Sequence, residues 1–261
     1  MTVSLIISTY NWPEALELVL LSIENQTVTP NQIVIADDGS DTRTANLINS
    51  FKEKGLQIIH VWHEDNGFQK TLILNKSLRV CTSDYVIEID GDIILHKDFV
   101  KDHIKASTPG YFVQGSRAMM GKALATKILD TKKLHLNCFT EGLLNRFNAI
   151  RFPLLSFMFV TDPLSSRNVK GCNLAFWMSD YVKINGYFNG FIGWGWEDYE
   201  FAERLINSGI KKKRLKWAAV GYHIYHALSS RANSKPNELI YKETVNNKMC
   251  HRVPGFREIA L

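Results

Sequence analysis

Through the first hundred residues, short apolar runs rich in branched side chains alternate with stretches whose apolar residues recur every three or four positions. Residues 3–8 read as a strand. Residues 13–26 read as a helix, with Pro13 suited to a first turn and Leu16, Val19, Leu20 and Ile23 on one face. The pattern continues with a strand over 32–36, a helix starting near Asp41, a strand over 56–62, a helix through 70–80 and a strand over 85–90. Such alternation predicts βαβ units on a mostly parallel sheet, an α/β fold with a doubly wound, Rossmann-like half.

The chain is less regular over 115–168. Residues 143–160, "LLNRFNAIRFPLLSFMFV", mix basic, aromatic and aliphatic side chains without a clean charged face at helical period. They read as a buried segment covering the sheet, the other reading being an amphipathic element at a membrane surface. From 169 a strand is expected, then a short helix capped by Ser179 and closed by Gly186, then the glycine-rich "GFIGWGWEDYEF" of 190–201. From Glu197 onward, Phe201, Ala202, Leu205 and Ile206 mark a helix that ends at Gly209. A further strand is expected over 213–220, followed by "GYHIYHALSS".

Composition narrows the class of partner. The 261 residues are 45% hydrophobic, enough for a sizeable core, and the net charge of +5 is spread along the chain apart from the run at 211–214. That balance suits a polyanionic small molecule or an acidic membrane face and is too weak to argue for nucleic acid. The four cysteines are far apart, with no Cys-x-x-Cys pair, so no disulfide framework or zinc site is signalled. A reduced cytoplasm is the expected setting, with no export signal and no apolar run long enough to span a bilayer.

In open α/β sheets ligands bind beyond the carboxyl ends of the strands. Three such ends carry polar chemistry: Ser8-Thr9-Tyr10-Asn11, Asp37-Asp38-Gly39-Ser40 and Asp90-Gly91-Asp92. The first two offer a cradle for a base and ribose, although the same residues are common in plain turns. Asp90 and Asp92 repel each other unless a cation sits between them, and hard divalent ions take such ligands. Asp198 falls in the first turn of its helix, where the dipole favours an ionised carboxylate able to take a late-leaving proton from a hydroxyl. Trp194 and Trp196 beside it offer flat faces for a sugar. On an extended segment His223 and His226 point to opposite faces, so only one of them is expected to join Asp92 on a metal. A nitrogen ligand among carboxylates favours manganese over magnesium. His60 and His63 read as structural.

Taken together these motifs resemble family 2 glycosyltransferases of the GT-A fold, through "STYNWPEAL", "IVIADDGSDT" and "YVIEIDGD". The C-terminal "INGYFNGFIGWGWEDYEFAERL" and "YHIYHA" are similar to β-1,4-galactosyltransferases and polypeptide N-acetylgalactosaminyltransferases. The resemblance implies a nucleotide-sugar half over 1–114, a covering segment over 115–168, an acceptor and catalytic half over 169–230 and a tail over 231–261, all in one GT-A domain. It implies that Thr9, Tyr10, Asn11, Asp37, Asp38, Lys70, Asp90 and Gly91 hold a UDP-sugar. Asp92, His226 and Asp90 would hold Mn2+ or Mg2+, Asp198 would act as base, and Trp194, Trp196, Glu197 and Asn173 would form the acceptor and sugar pocket. Trp196 stands where those families have glycine, which narrows the pocket. The activity implied is inverting transfer of a hexose or N-acetylhexosamine to a glycan or lipid-linked glycan, with peripheral contact at the inner membrane face. Two other readings are a sugar-phosphate nucleotidyltransferase, whose glycine-rich basic loop is missing after the first strand, and a non-catalytic carbohydrate-binding module.

Overall fold

The computed structural model describes residues 1–259 apart from 160, 161, 228–230, 232 and the side chain of 157. The ends of the apolar run 152–160 and of the stretch 221–230, with the expected boundary at 230/231, lie outside the described residues. The first half follows the expected rhythm: β1 (Val3–Thr9), α1 (Pro13–Glu24), β2 (Gln32–Asp37), α2 (Thr42–Glu53), β3 (Ile58–Trp62), α3 (Lys70–Arg79), β4 (Tyr85–Asp90). Then come β5 (Ile93–Leu95), α4 (Phe99–Ala106), β6 (Tyr111–Gln114), β7 (Arg117–Met119) and α5 (Lys122–Thr131). The second half holds β8 (Asn173–Trp177), α6 (Met178–Lys183), α7 (Glu197–Asn207), β9 (Lys211–Arg214), β10 (Gly221–His223) and α8 (Ser234–Asn246).

Seven strands form one sheet in the order β3-β2-β1-β4-β8-β6-β9, and β5-β10-β7 form a smaller one. In the large sheet β1 to β4 are parallel, whereas β8 runs antiparallel to both β4 and β6. The central strands β1, β2 and β4 are buried on both faces, which is why they read as nearly continuous apolar runs. Leu5, Ile7, Ile33, Ile35, Ile87 and Ile89 point into one core with α1 and α2, while Ile6, Val34 and Val86 point into another with α3, α6 and α7. Asp41 caps α2 by accepting from the Arg43 N–H.

The helix that carries Asp198 is locked at its centre. Arg204 and Glu200, both fully buried, pair through Nε and Nη2 at 2.7 and 2.8 Å, and Arg204 also donates to the Ile184 carbonyl at 2.7 Å. Thr244 of α8 donates to the same glutamate at 3.0 Å. Breaking one partner of such a buried pair costs about 3–5 kcal/mol, so α7 is held against α6 and α8 in one register.

Three local expectations are corrected. Ser179 lies inside α6 rather than at its cap; the chain enters that helix at Trp177 in extended conformation. The strand expected over 213–220 is shorter and earlier, because Trp217 (φ 60°) and Ala219 (φ 46°) turn the chain between β9 and β10. Among the described residues of 143–159 the buried cover is partial: Leu143 and Ala149 are buried, but Leu144, Phe147, Leu154 and Met158 are 63–79% exposed. The basic run is an edge strand whose Lys212 and Lys213 ammonium groups donate to backbone carbonyls, so only part of its charge faces outward. No helix among the described residues is long and apolar enough to cross a membrane.

Candidate active site

A cavity of about 1110 Å³ opens at the carboxyl ends of β1 and β4 and the N-terminus of α7. Because β8 is antiparallel, the residues that lead into it, Lys170–Cys172, meet the same edge as the residues that leave β1 and β4. Thr9, Tyr10, Asp38, Lys70, Asp90, Gly91, Asp92, Trp194, Trp196, Glu197, Asp198 and His226 all line it. Three expected residues do not. Asp37 is buried behind the wall, accepting from Ser40 N–H at 2.8 Å and bonded to His60 Nε2 at 2.9 Å. Asn11 links loops, donating its N–H to Ser40 Oγ and accepting from the Asp41 N–H, each at 2.8 Å. Asn173 is fully buried and bonded to His103, the Ser116 carbonyl and the Ala219 carbonyl, so no atom is left for a ligand.

On the β1 side the pocket is prearranged. Asp38 accepts from the Gln69 N–H at 2.9 Å and is bonded to His63 Nε2 at 2.8 Å. Burial nevertheless raises its carboxyl, with those two bonds opposing the shift. His60 and His63 are thus structural residues that orient the aspartate pair. The Tyr10 hydroxyl donates to Asp65 at 2.8 Å, leaving a half-exposed ring at the rim. Gly91 passes so close to β1 that a β-carbon there would lie 3.0 Å from the Ser8 carbonyl oxygen.

Deeper in, one lysine faces four carboxylates. Lys70 Nζ donates to Asp90 at 2.7 Å. Burial alone would lower its ammonium, but Asp90, Asp198, Glu88 and Glu197 outweigh that and raise it well above its ordinary value. One cation cannot compensate four anions. Burial pushes Glu88 up to about 8, and burial with the neighbouring Asp198 pushes Glu197 up to about 7. Asp198 is also raised, by burial, against the pull of Lys70 and a hydrogen bond from the Gly171 N–H. The helix dipole therefore does not decide its ionisation alone, as the sequence suggested; desolvation opposes it. Asp198 Oδ2 accepts from Gly171 N–H at 2.7 Å, whereas Oδ1 is buried with no partner.

Asp92, His223 and His226 bring one ligand atom each within 4.8 Å of one another. His226 Nε2 is 3.1 Å and His223 Nε2 3.4 Å from Asp92 Oδ2. The expectation that the two histidines diverge is overturned: β10 ends at His223, and strand alternation ceases to apply before His226 is reached. Asp90 stays outside the triad, its Oδ1 held by Lys70 and Ser8. The donors fit a divalent cation, since Asp92 Oδ1 is buried without a partner and His226 Nδ1 lies 2.6 Å from the Ala227 carbonyl, which fixes that nitrogen as donor and leaves Nε2 to ligate.

Trp194 is exposed at the rim beneath Arg231, 5.7 Å from its ring. Trp196 takes a left-handed conformation (φ 74°) at the start of α7, donates to Ser234 at 3.2 Å and stacks on Tyr241 at 5.3 Å. Its indole both lines the cavity and anchors α8, a second task not legible in the sequence. Glu197 turns back to accept from the Gly195 N–H at 2.8 Å, shaping the loop rather than projecting freely. Sequence reasoning missed His223, Glu88, Gly171 and Arg117, which also lines the cavity.

Comparison with known proteins bears on the family and the fold. The family model for glycosyl transferase family 2 matches residues 4–164, and one described as the N-terminal domain of galactosyltransferase matches 156–227. Chondroitin synthase from Escherichia coli is 26% identical over 237 residues, 84% of this chain and 34% of that protein. Validoxylamine A glucosyltransferase from Streptomyces hygroscopicus subsp. limoneus is 26% identical over 79% of this chain and 48% of that protein. The chain thus spans at most about half of these relatives. Among solved structures, the Pyrobaculum calidifontis mannosyltransferase PcManGT with GDP-Man and Mn2+ superposes with a TM-score of 0.60 at 19% identity, covering 85% of this chain and 56% of that one. S. aureus TarS 1–349 in complex with UDP gives 0.61 at 15%, covering 95% and 66%. The fold is GT-A, and the chain belongs to glycosyl transferase family 2.

Proposed function

We propose that this glycosyltransferase moves a hexose or N-acetylhexosamine from a UDP-sugar to a glycan hydroxyl with inversion, in the assembly of a bacterial surface polysaccharide or lipooligosaccharide. The observation that carries the reading is that one cavity contains both the Asp92–His223–His226 cluster and an aspartate with one oxygen fixed and the other unpartnered.

Asp92, His223 and His226 would hold the cation, and their mixed oxygen and nitrogen donors favour manganese. When bound, such an ion neutralises negative charge on a departing diphosphate. Thr9, Tyr10 and Asp38 line the side expected to take the nucleoside, and Trp194 offers its face to the sugar. Gly171 fixes Asp198 Oδ2, so Oδ1 is free to accept the proton of an acceptor hydroxyl. As that proton transfers, the acceptor oxygen bonds to the anomeric carbon and the bond from that carbon to the diphosphate oxygen breaks on the opposite side. The raised proton affinity of Asp198 makes it a stronger base than an exposed aspartate. Exposed Leu144 at the cavity rim, with Phe147, Leu154 and Met158 nearby in sequence, supports an acceptor carried close to a lipid surface.

The experiment is transfer from a panel of UDP-sugars with and without manganese, read as UDP release and glycan product. Product formed equally well after metal is stripped would overturn the metal assignment, and absence of UDP binding would overturn the donor.

A further inference from the structure

Beside the active-site cavity lies a second one of about 840 Å³, and the two share Arg117, Met119, Lys170 and Cys172. Its wall carries five cationic side chains, Arg117, Arg167, Lys170, Lys212 and Arg214, against a single carboxylate, Asp162. Among the described residues none of the five forms an ion pair. They press on one another instead. Burial lowers the Lys170 ammonium, and Arg117 and Arg214 lower it further.

Two of the cations, Lys212 and Arg117, are held in place by the fold, and the other three are exposed. Lys212, 7% exposed, closes the floor by donating to the carbonyls of Ser165 and, at 3.0 Å, Arg167. Arg117 spends Nη1 on Cys172 Sγ at 3.1 Å and keeps its Nε buried without a partner. The neighbouring Ser116 Oγ is buried and unpartnered as well. Two donors without an acceptor, on residues that line a wall rich in unpaired positive charge, are the makings of a site for anionic oxygens.

The location specifies which reactant brings them. Lys170 precedes Gly171, whose N–H fixes the base Asp198, so an anion held by Lys170, Arg167 and Arg214 lies next to the place where the acceptor hydroxyl must be deprotonated. We propose that this cavity is an acceptor subsite for a carboxylate or phosphate group, so that the enzyme elongates an anionic glycan. The assignment rests on the transferase reading above. Arg117 sits at the junction and faces both compartments.

The test titrates protein saturated with UDP and manganese, so that the donor side is filled, with inorganic phosphate and separately with methyl glucuronide. Wild type should bind at least one of them, with an affinity that falls as salt rises. In the Arg167→Glu/Arg214→Glu variant, which alters two exposed side chains, that affinity should fall at least tenfold. The tighter probe tells whether the group is a phosphate or a uronate. Equal binding by the variant, or no saturable binding of either probe to wild type, would overturn the subsite. Failure of wild type to bind UDP would instead overturn the donor reading, which separates the two conclusions.

Discussion

Gly171 and Asp198 meet so closely that the glycine N–H donates to Oδ2 at 2.7 Å, while a β-carbon on the same glycine would stand 2.6 Å from Oδ1. The same β-carbon would lie 2.9 Å from Glu88 Oε1. Glycine is required by space here, not by backbone angle. Gly171→Ala should therefore push the carboxylate aside and lower kcat about a hundredfold, the scale expected for a displacement near 1 Å, with UDP affinity retained. Steady-state kinetics beside a UDP titration would check it, and wild-type kcat would show that Asp198 is not placed by this contact.

Asp198→Asn removes the proposed proton acceptor and keeps the shape. Transfer should drop by about 10²–10⁴-fold, while UDP and manganese still raise the thermal midpoint as in wild type. A variant turning over near the normal rate would sink the assignment of Asp198 as base.

His223→Ala and His226→Ala separate a three-residue cluster from a two-residue one. Each should weaken manganese-dependent UDP binding at least tenfold, because each removes a ligand atom from a set gathered within 4.8 Å. Calorimetry with and without chelator measures this; unchanged manganese dependence in His223→Ala would reduce the cluster to Asp92 and His226.

Glu88 predicts a pH effect on stability. Burial raises its carboxyl from 4.5 to about 8, so between those values the folded protein holds a proton that the unfolded chain has released. Stability from this group is complete below about 4.5 and is lost as pH rises through about 8, with a slope of at most about 1.4 kcal/mol per pH unit. Urea unfolding of wild type and Glu88→Gln across this range should give a difference that changes with pH, the variant lacking that slope. A difference independent of pH would mean that Glu88 titrates alike in both states.

The parallel half was legible because its strands are covered on both faces, which makes their sequences continuously apolar between polar strand ends. Asp38 and Asp92 could be placed at one sheet edge on that pattern, whereas Lys70 and Asp198 joined them through the family resemblance. His226 was named through the resemblance, but its meeting with His223 was not expected, since where β10 ends is settled by its neighbours β5 and β7 and not by local alternation. Asn173 misled because a buried amide tying three segments together looks, in sequence, like a polar residue at a strand start. Glu88 did leave a signal, a charged residue inside the otherwise apolar "YVIEID". The basic cavity left only the run at 211–214, because the rest of its wall comes from residues 114–119, 145–148 and 162–172, which only tertiary folding brings together.

In the small sheet, the Ile224 N–H donates to the carbonyl of Asp92 itself at 3.0 Å, and His223 lies in register with Ile93. The backbone that joins the strands and the side chains proposed to hold a cation thus belong to neighbouring residues. Parting β5 from β10 would spread the cluster, so local opening and ion release become a single event. Deuterium uptake at the Ile224 amide should slow as cation is added, giving a readout of occupancy that requires neither donor nor acceptor.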